Sequence, residues 1–355
     1  MNIFQIISEI EKVDPEVYER LDSRRSIFKH MSGLGQKLTA TALPLAFGAV
    51  LNKAYAQTAA APSVVDVLNF ALRLEYLEST FYNLGLGTIG TTATTQQTAF
   101  RAAFSTTNLS SLNIIRLDES NHVTALRAVI TSLGGTPVAA PNVTPNALGV
   151  TGDFDFTGGK GTGTGPFAGL FTAAGAATFL AVAQALEDTG VRAYKGGAPY
   201  LMSNKDILTA ALNIHSVEAR HASRLRTMRR AGVNNNAASS VAPANLGANE
   251  ADRSASPKSW IQGQDAGGPA PTYTAPVYGA GSNNGVGPSY TPSAITFPNE
   301  GNNSQGGVAL SGTTLTAAAT FPTLSFSEAF DEPLDVPQVL IIARTFATTA
   351  STFFN

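Results

Sequence analysis

Glu119-x-x-His122 and Glu218-x-x-His221 repeat one pair of metal-ligating side chains, at one spacing, on two separate stretches of helical period. A glutamate and a histidine three residues apart on a helix project from the same face, so one ion can take an oxygen from the first and a nitrogen from the second. Each pair is preceded by a further helical stretch that carries glutamate. Four carboxylates with two imidazoles bind two divalent cations and leave little net charge. The chain holds only 4 histidines, and the two pairs use His122 and His221, leaving His30 and His215.

Helices must position these groups, and their period is legible. Leu112, Ile115, Glu119, His122, Leu126, Val129 and Leu133 follow steps of three and four residues, as do Ile207, Ala211, Ile214, Glu218, His221, Leu225 and Met228. The ligand-type residues therefore interrupt apolar stripes and face inward. A buried, unpaired carboxylate costs on the order of several kcal/mol, comparable to the stability of a whole domain, so bound cations account for what a plain core does not. The competing account is an ion-paired polar network with Arg116, Arg127, Arg220 and Arg224 as partners.

Residues 64 to 84 supply one partner helix, with Leu68, Ala71, Glu75, Glu78 and Tyr82 beside a stripe of Val67, Phe70, Leu74, Leu77 and Phe81. Glu75 or Glu78 is the ligand there. Residues 172 to 195 supply the other helix, where Glu187 shares a face with Leu180, Ala183 and Tyr194. Glu187 has a tyrosine seven residues on, and Glu75 has Tyr82 at the same offset. That match selects Glu75 and leaves Glu78 as an acid at the edge of the core. A phenol two turns from a carboxylate lies on its face, where it can hydrogen-bond or carry an electron. Tyr82 and Tyr194 are equally readable as core aromatics with a satisfied hydroxyl.

The order Glu, Glu-x-x-His, long connection, Glu, Glu-x-x-His resembles the ferritin-like superfamily of di-iron and di-manganese bundles, over roughly residues 62 to 232. Within it, Leu68-Asn69-Phe70-Ala71-Leu72-Arg73-Leu74-Glu75-Tyr76-Leu77-Glu78 and Phe81-Tyr82 are similar to exported bacterial ferritin-like proteins related to plant desiccation proteins. The resemblance implies an all-α core, a four-helix bundle with a long crossover between its second and third helices. It makes Glu75 and Glu187 terminal ligands, Glu119 and Glu218 bridging ligands, and His122 and His221 one imidazole per metal. It also implies that Asp118 hydrogen-bonds a ligand histidine from the other half. The second copy departs from the pattern with Val217, so one histidine must find another partner or water. His215 is a candidate helper there, or a partly exposed structural histidine.

The stretch Ser23-Arg24-Arg25-Ser26-Ile27-Phe28-Lys29 resembles a twin-arginine export signal; a mildly apolar segment from Leu34 to Leu51 and a small-x-small site at Ala54-Tyr55-Ala56 follow it. Residues 1–56 are thus expected to be a signal segment, too interrupted by Lys37, Pro44 and Gly48 to span a membrane. The mature protein is expected to carry no transmembrane span and to work in the periplasm or outside the cell. With no cysteine, disulfides, iron–sulfur clusters and thiol catalysis are excluded, and a net charge of -2 with 14% charged residues leaves no basic field for nucleic acid.

The rest is irregular. Residues 134–171 form the crossover, residues 233–327 are an extended Gly/Asn/Pro-rich region, and residues 328–355 form a short helix, Val336 to Phe346, with a tail. The spaced aromatics Trp260, Tyr273, Tyr278 and Tyr290 argue for an extension wrapped on the bundle or on a second copy of the chain. No hydrolase elbow, P-loop or zinc-protease motif is present, and the lone Gly161-Thr-Gly-Thr-Gly165 run, in a loop read as having no strand before it, is weak evidence for phosphate binding. The expected function is a centre of two iron ions, with manganese as alternative, oxidised by peroxide or dioxygen in stress protection. Manganese-catalase chemistry shares the ligands. The alternative from another class is a structural, self-assembling protein in which metal only staples the bundle.

Overall fold

The computed structural model describes residues 62–87, 94–143, 149–235, 276–278, 281–282, 296–305, 308–309 and 324–355. The export signal and Trp260, Tyr273 and Tyr290 lie outside these residues. The features below belong to one compact unit, Ala60–Gln305 with Ala309–Asn355.

Four long helices form the core: α1 (Val64–Leu86), α3 (Thr106–Ser132), α4 (Ala176–Gly197) and α5 (Lys205–Ala231), with a short α2 (Thr95–Ala102) between the first two. Their starts are locally encoded. Ser63 caps α1 in a reciprocal box with Asp66, Thr94 does so for α2 with Gln97, and Ser105 and Asn204 each accept a bond from a first-turn amide of α3 and α5. Gly87 closes α1 in the left-handed conformation, with φ 88°. The first half pairs α1 with α3 and the second pairs α4 with α5; α4 also touches α1 and α5 touches α3, so the four helices close a ring.

One end of the ring is sealed by aromatic rings. Phe81 stacks on Phe179 with centroids 4.6 Å apart, and Phe100 of α2 meets Phe179 edge-on at 5.0 Å. The α2 helix, absent from the sequence reading, thus contributes a fully buried ring to the core.

The crossover carries a two-residue hairpin, β1 (Val150–Thr151) with β2 (Phe154–Asp155), so a short strand does precede the glycine run. That run encloses an anion of its own. Asp155 is fully buried, its Oδ1 accepts from the Thr157 amide and hydroxyl, and its Oδ2 accepts from the amides of Gly161 and Gly163 at 2.7 and 3.1 Å. The donors that a phosphate would need are satisfied by this carboxylate.

The described parts of the C-terminal extension lie on α4. Arg192, fully buried, pairs with Glu300 at 2.8 Å and donates to the carbonyls of Val277, Pro298 and Glu332. Asp188 forms a two-pronged pair with Arg226 of α5 at 2.8 and 2.5 Å and accepts from the Tyr278 hydroxyl at 2.8 Å. Gly196 lets the extension cross: a Cβ there would sit 1.8 Å from the Leu334 carbonyl oxygen. The chain ends in α6 (Val336–Arg344), shorter than expected from periodicity and started by an Asp335–Gln338 box.

Candidate metal centre

Mid-helix positions bring the six expected ligands together. Glu75, Glu119, His122 and Glu218 form one set, and Glu119, Glu187, Glu218 and His221 form a second; within each, one donor atom per residue lies within 4.8 Å of the others. Glu119 and Glu218 belong to both sets. The four carboxylates are fully buried, and the two imidazole rings lie 6.3 Å apart between centroids.

Both histidines turn Nδ1 toward the carboxylates. His122 Nδ1 is 3.2 Å from Glu75 and 3.3 Å from Glu119; His221 Nδ1 is 3.1 Å from Glu187 and 2.9 Å from Glu119 Oε1. Neither this last contact nor that of His122 Nδ1 with Glu218 Oε1, at 3.5 Å, is a hydrogen bond, so Glu119 Oε1 and both oxygens of Glu218 have no hydrogen-bond partner. Buried carboxylate oxygens in that condition are strongly destabilising unless protonated or met by a cation.

The electrostatics carry the same strain. Burial, then repulsion from Glu218 and Glu75, pushes Glu119 up to about 8, against the pull of the two histidines. Burial, with Glu187 and Glu75 beside it, raises Glu218 well above the usual range. Glu187 is raised by burial, tempered by His221. For the imidazoles burial opposes protonation, but the carboxylates outweigh it: His122 is raised by Glu119, Glu218 and Glu75, and His221 is raised to about 12 by Glu187 and Glu119.

Each tyrosine reaches across to the opposite half. Tyr82 of α1 donates to Glu187 Oε1 at 2.5 Å, and Tyr194 of α4 donates to Glu75 Oε1. The shared seven-residue offset therefore reflects reciprocal bonds between halves, with each hydroxyl satisfied. Burial and the adjacent carboxylates raise both phenols well above their ordinary range, so both remain donors.

The remaining candidates separate. Asp118 Oδ2 lies 3.1 Å from His221 Nε2, on the side of the ring away from the carboxylates. Glu78 is buried, and burial followed by Glu218 and Glu119 raises it far above normal, but it belongs to neither donor set. His215 is elsewhere: its charged neighbours are Asp331 and Lys195, and its Nε2 is buried without a hydrogen bond. Three of the four arginines of the competing account are engaged away from the cluster, Arg116 with Asn83 and Asn113, Arg127 with Tyr76, and Arg224 with Ser111, and Arg220 is exposed.

Sequence reasoning missed Gly190. A Cβ there would lie 2.7 Å from Glu218 Oε2, so the absence of a side chain on α4 makes room for a carboxylate of α5. The signal was present: Glu187-x-x-Gly190 aligns with Glu75-x-x-Glu78, and a glycine inside a buried helix calls for a packing reason.

Buried Glu and His groups of this kind can hold metal ions. Among the described residues, no helix is long and apolar enough to cross a membrane. No curated protein matches the chain. Residues 63–231 match the family described as the ferritin-like domain, the same span that folds into the four-helix ring and carries both Glu/His sets. That part of the chain belongs to the ferritin-like domain family.

Proposed function

We propose that the bundle holds a dinuclear metal centre of two iron ions, with manganese as the alternative, and serves redox chemistry with peroxide or dioxygen. One observation carries the reading: Glu119 and Glu218, fully buried and shared by both donor sets, have three carboxylate oxygens with no hydrogen-bond partner. The donors fit such a pair, since four carboxylates balance two divalent charges and one imidazole is available to each ion. When bound, the pair supplies electrons to the oxidant.

The protein's own side chains prepare that chemistry. Tyr82 and Tyr194 hold Glu187 and Glu75 by hydroxyl donation, fixing which carboxylate oxygen stays free. Asp118 fixes the ring of His221 by accepting at Nε2, which keeps Nδ1 turned inward toward the carboxylates. Phe81, Phe100 and Phe179, all fully buried, exclude water beside Tyr82.

Glu119→Ala and Glu218→Ala test the assignment by metal content. Protein from its own host is expected to carry two metal ions per chain by elemental analysis, and each variant is expected to lose at least one with helicity intact. Two ions retained in both variants would overturn the bridging role.

A further inference from the structure

The two halves present identical ligand types but unequal support behind them. His221 is held at both ring nitrogens, Nδ1 toward Glu187 and Glu119 and Nε2 at 3.1 Å from Asp118 Oδ2. Asp118 immediately precedes Glu119 on α3. The residue at the matching place on α5, immediately before Glu218, is Val217, which has no acceptor. Among the described residues His122 Nε2 has no hydrogen-bond partner, while its Nδ1 faces Glu75 and Glu119. A carboxylate behind a histidine fixes the tautomer, restricts ring rotation and makes the inner nitrogen a better donor.

We infer that the two metal positions are inequivalent and fill in order, the Glu187/His221 position before the Glu75/His122 position. The inference rests on the dinuclear reading above and adds a ranking that the ligand types alone do not provide. A fifth carboxylate does not reverse it. Glu78 offers no atom to either donor set, so it supplies neither position with a ligand. Asp118 is a positioning residue, and because it is partly exposed at the surface its replacement leaves the core intact.

Titration of the metal-free full-length protein with Mn(II), followed by isothermal calorimetry, reads the ranking directly. The native protein is expected to bind two ions in resolved steps. Asp118→Asn should weaken the tighter step by roughly 10–100-fold and leave the weaker one within about threefold. Val217→Asp should strengthen the weaker step. Glu187→Gln should remove the tight step and Glu75→Gln the weak one, which ties each step to its half. Two indistinguishable steps in the native protein, or an Asp118→Asn variant with both constants unchanged, would overturn the ranking while leaving the dinuclear centre standing. Absence of any Mn(II) binding, with native helicity by circular dichroism, would overturn the centre and the ranking together.

Discussion

The α1/α3 half and the α4/α5 half carry the same ligands in the same order, yet they are enclosed differently. The second half is built around buried ion pairs, Arg226 with Asp188 and Arg192 with Glu300, and the extension lies along α4. Among the described residues the first half has no such buried ion pair: on α1, Arg73 donates to the Phe353 carbonyl, while α3 leaves Ile114 and Leu117 exposed and its arginines make partly exposed bonds to neutral side chains. Helix geometry alone sets where Glu-x-x-His points, so the ligand pattern can repeat while its surroundings diverge. The differences that bear on chemistry are single positions, Glu78 against Gly190 and Asp118 against Val217.

The clamp is where the comparison breaks most visibly. Arg226→Ala would leave Asp188 buried with only the Tyr278 hydroxyl and should destabilise the fold by about 3–5 kcal/mol. Arg116→Ala, at a partly exposed site bonded to Asn83 and Asn113, should change stability by less than about 1 kcal/mol. Thermal melts of the two variants decide it; equal losses would show that the buried pair is no more important than a surface contact.

Gly190 and Glu78 sharpen the comparison at the site. Exchanging a mid-helix glycine for alanine ordinarily stabilises by roughly 0.5–1 kcal/mol. At Gly190 the new methyl would meet the Glu218 carboxylate, a flexible chain end able to move aside. Gly190→Ala should therefore retain the fold, within about 1 kcal/mol of the native protein, and lose at least one Mn(II) ion in equilibrium dialysis. Glu78→Ala removes a carboxylate that supplies no donor atom and should keep both ions. If the two variants bind equal amounts of metal, Gly190 does not place Glu218.

Much of this was legible because the bundle helices obey a single period. The stripes through Glu119 and Glu218 located the buried faces, and the offset from Glu75 to Tyr82 selected the carboxylate that falls in a donor set, although the bond it reflects runs to the other half. What sequence does not show is contact between remote segments with no shared period. Val277, Pro298 and Glu332 meet at one guanidinium through backbone carbonyls, which any residue type supplies. The glycine run was ambiguous for a related reason: its amides suit any anion, and only the fold reveals that Asp155 fills the place. His215 shares a helix with Glu218, but one turn nearer the start of that helix its charged neighbours are Lys195 and Asp331 instead.

The smallest expected effect separates the cluster from the clamp by pH. Glu119 and Glu300 are both pushed up to about 8, chiefly by burial, but Glu300 faces a resident cation in Arg192 whereas Glu119 has repelling carboxylates and two histidines. A carboxyl group raised from 4.5 in the folded state holds its proton there after the unfolded chain has released it, so stability falls as pH rises between about 4.5 and 8. His221, raised from 6.5 to about 12, acts in the same direction from 6.5 upward. Metal-free protein in EDTA should therefore melt lower at pH 8 than at pH 5, by roughly 5 °C. Bound ions need the cluster deprotonated, so saturation with Mn(II) should remove the cluster's share of the slope and leave that of Glu300. Glu300→Gln should then flatten what remains in the metal-bound protein while removing only its own share of the slope in EDTA. Identical slopes with and without Mn(II) would show that the buried cluster does not govern the pH response.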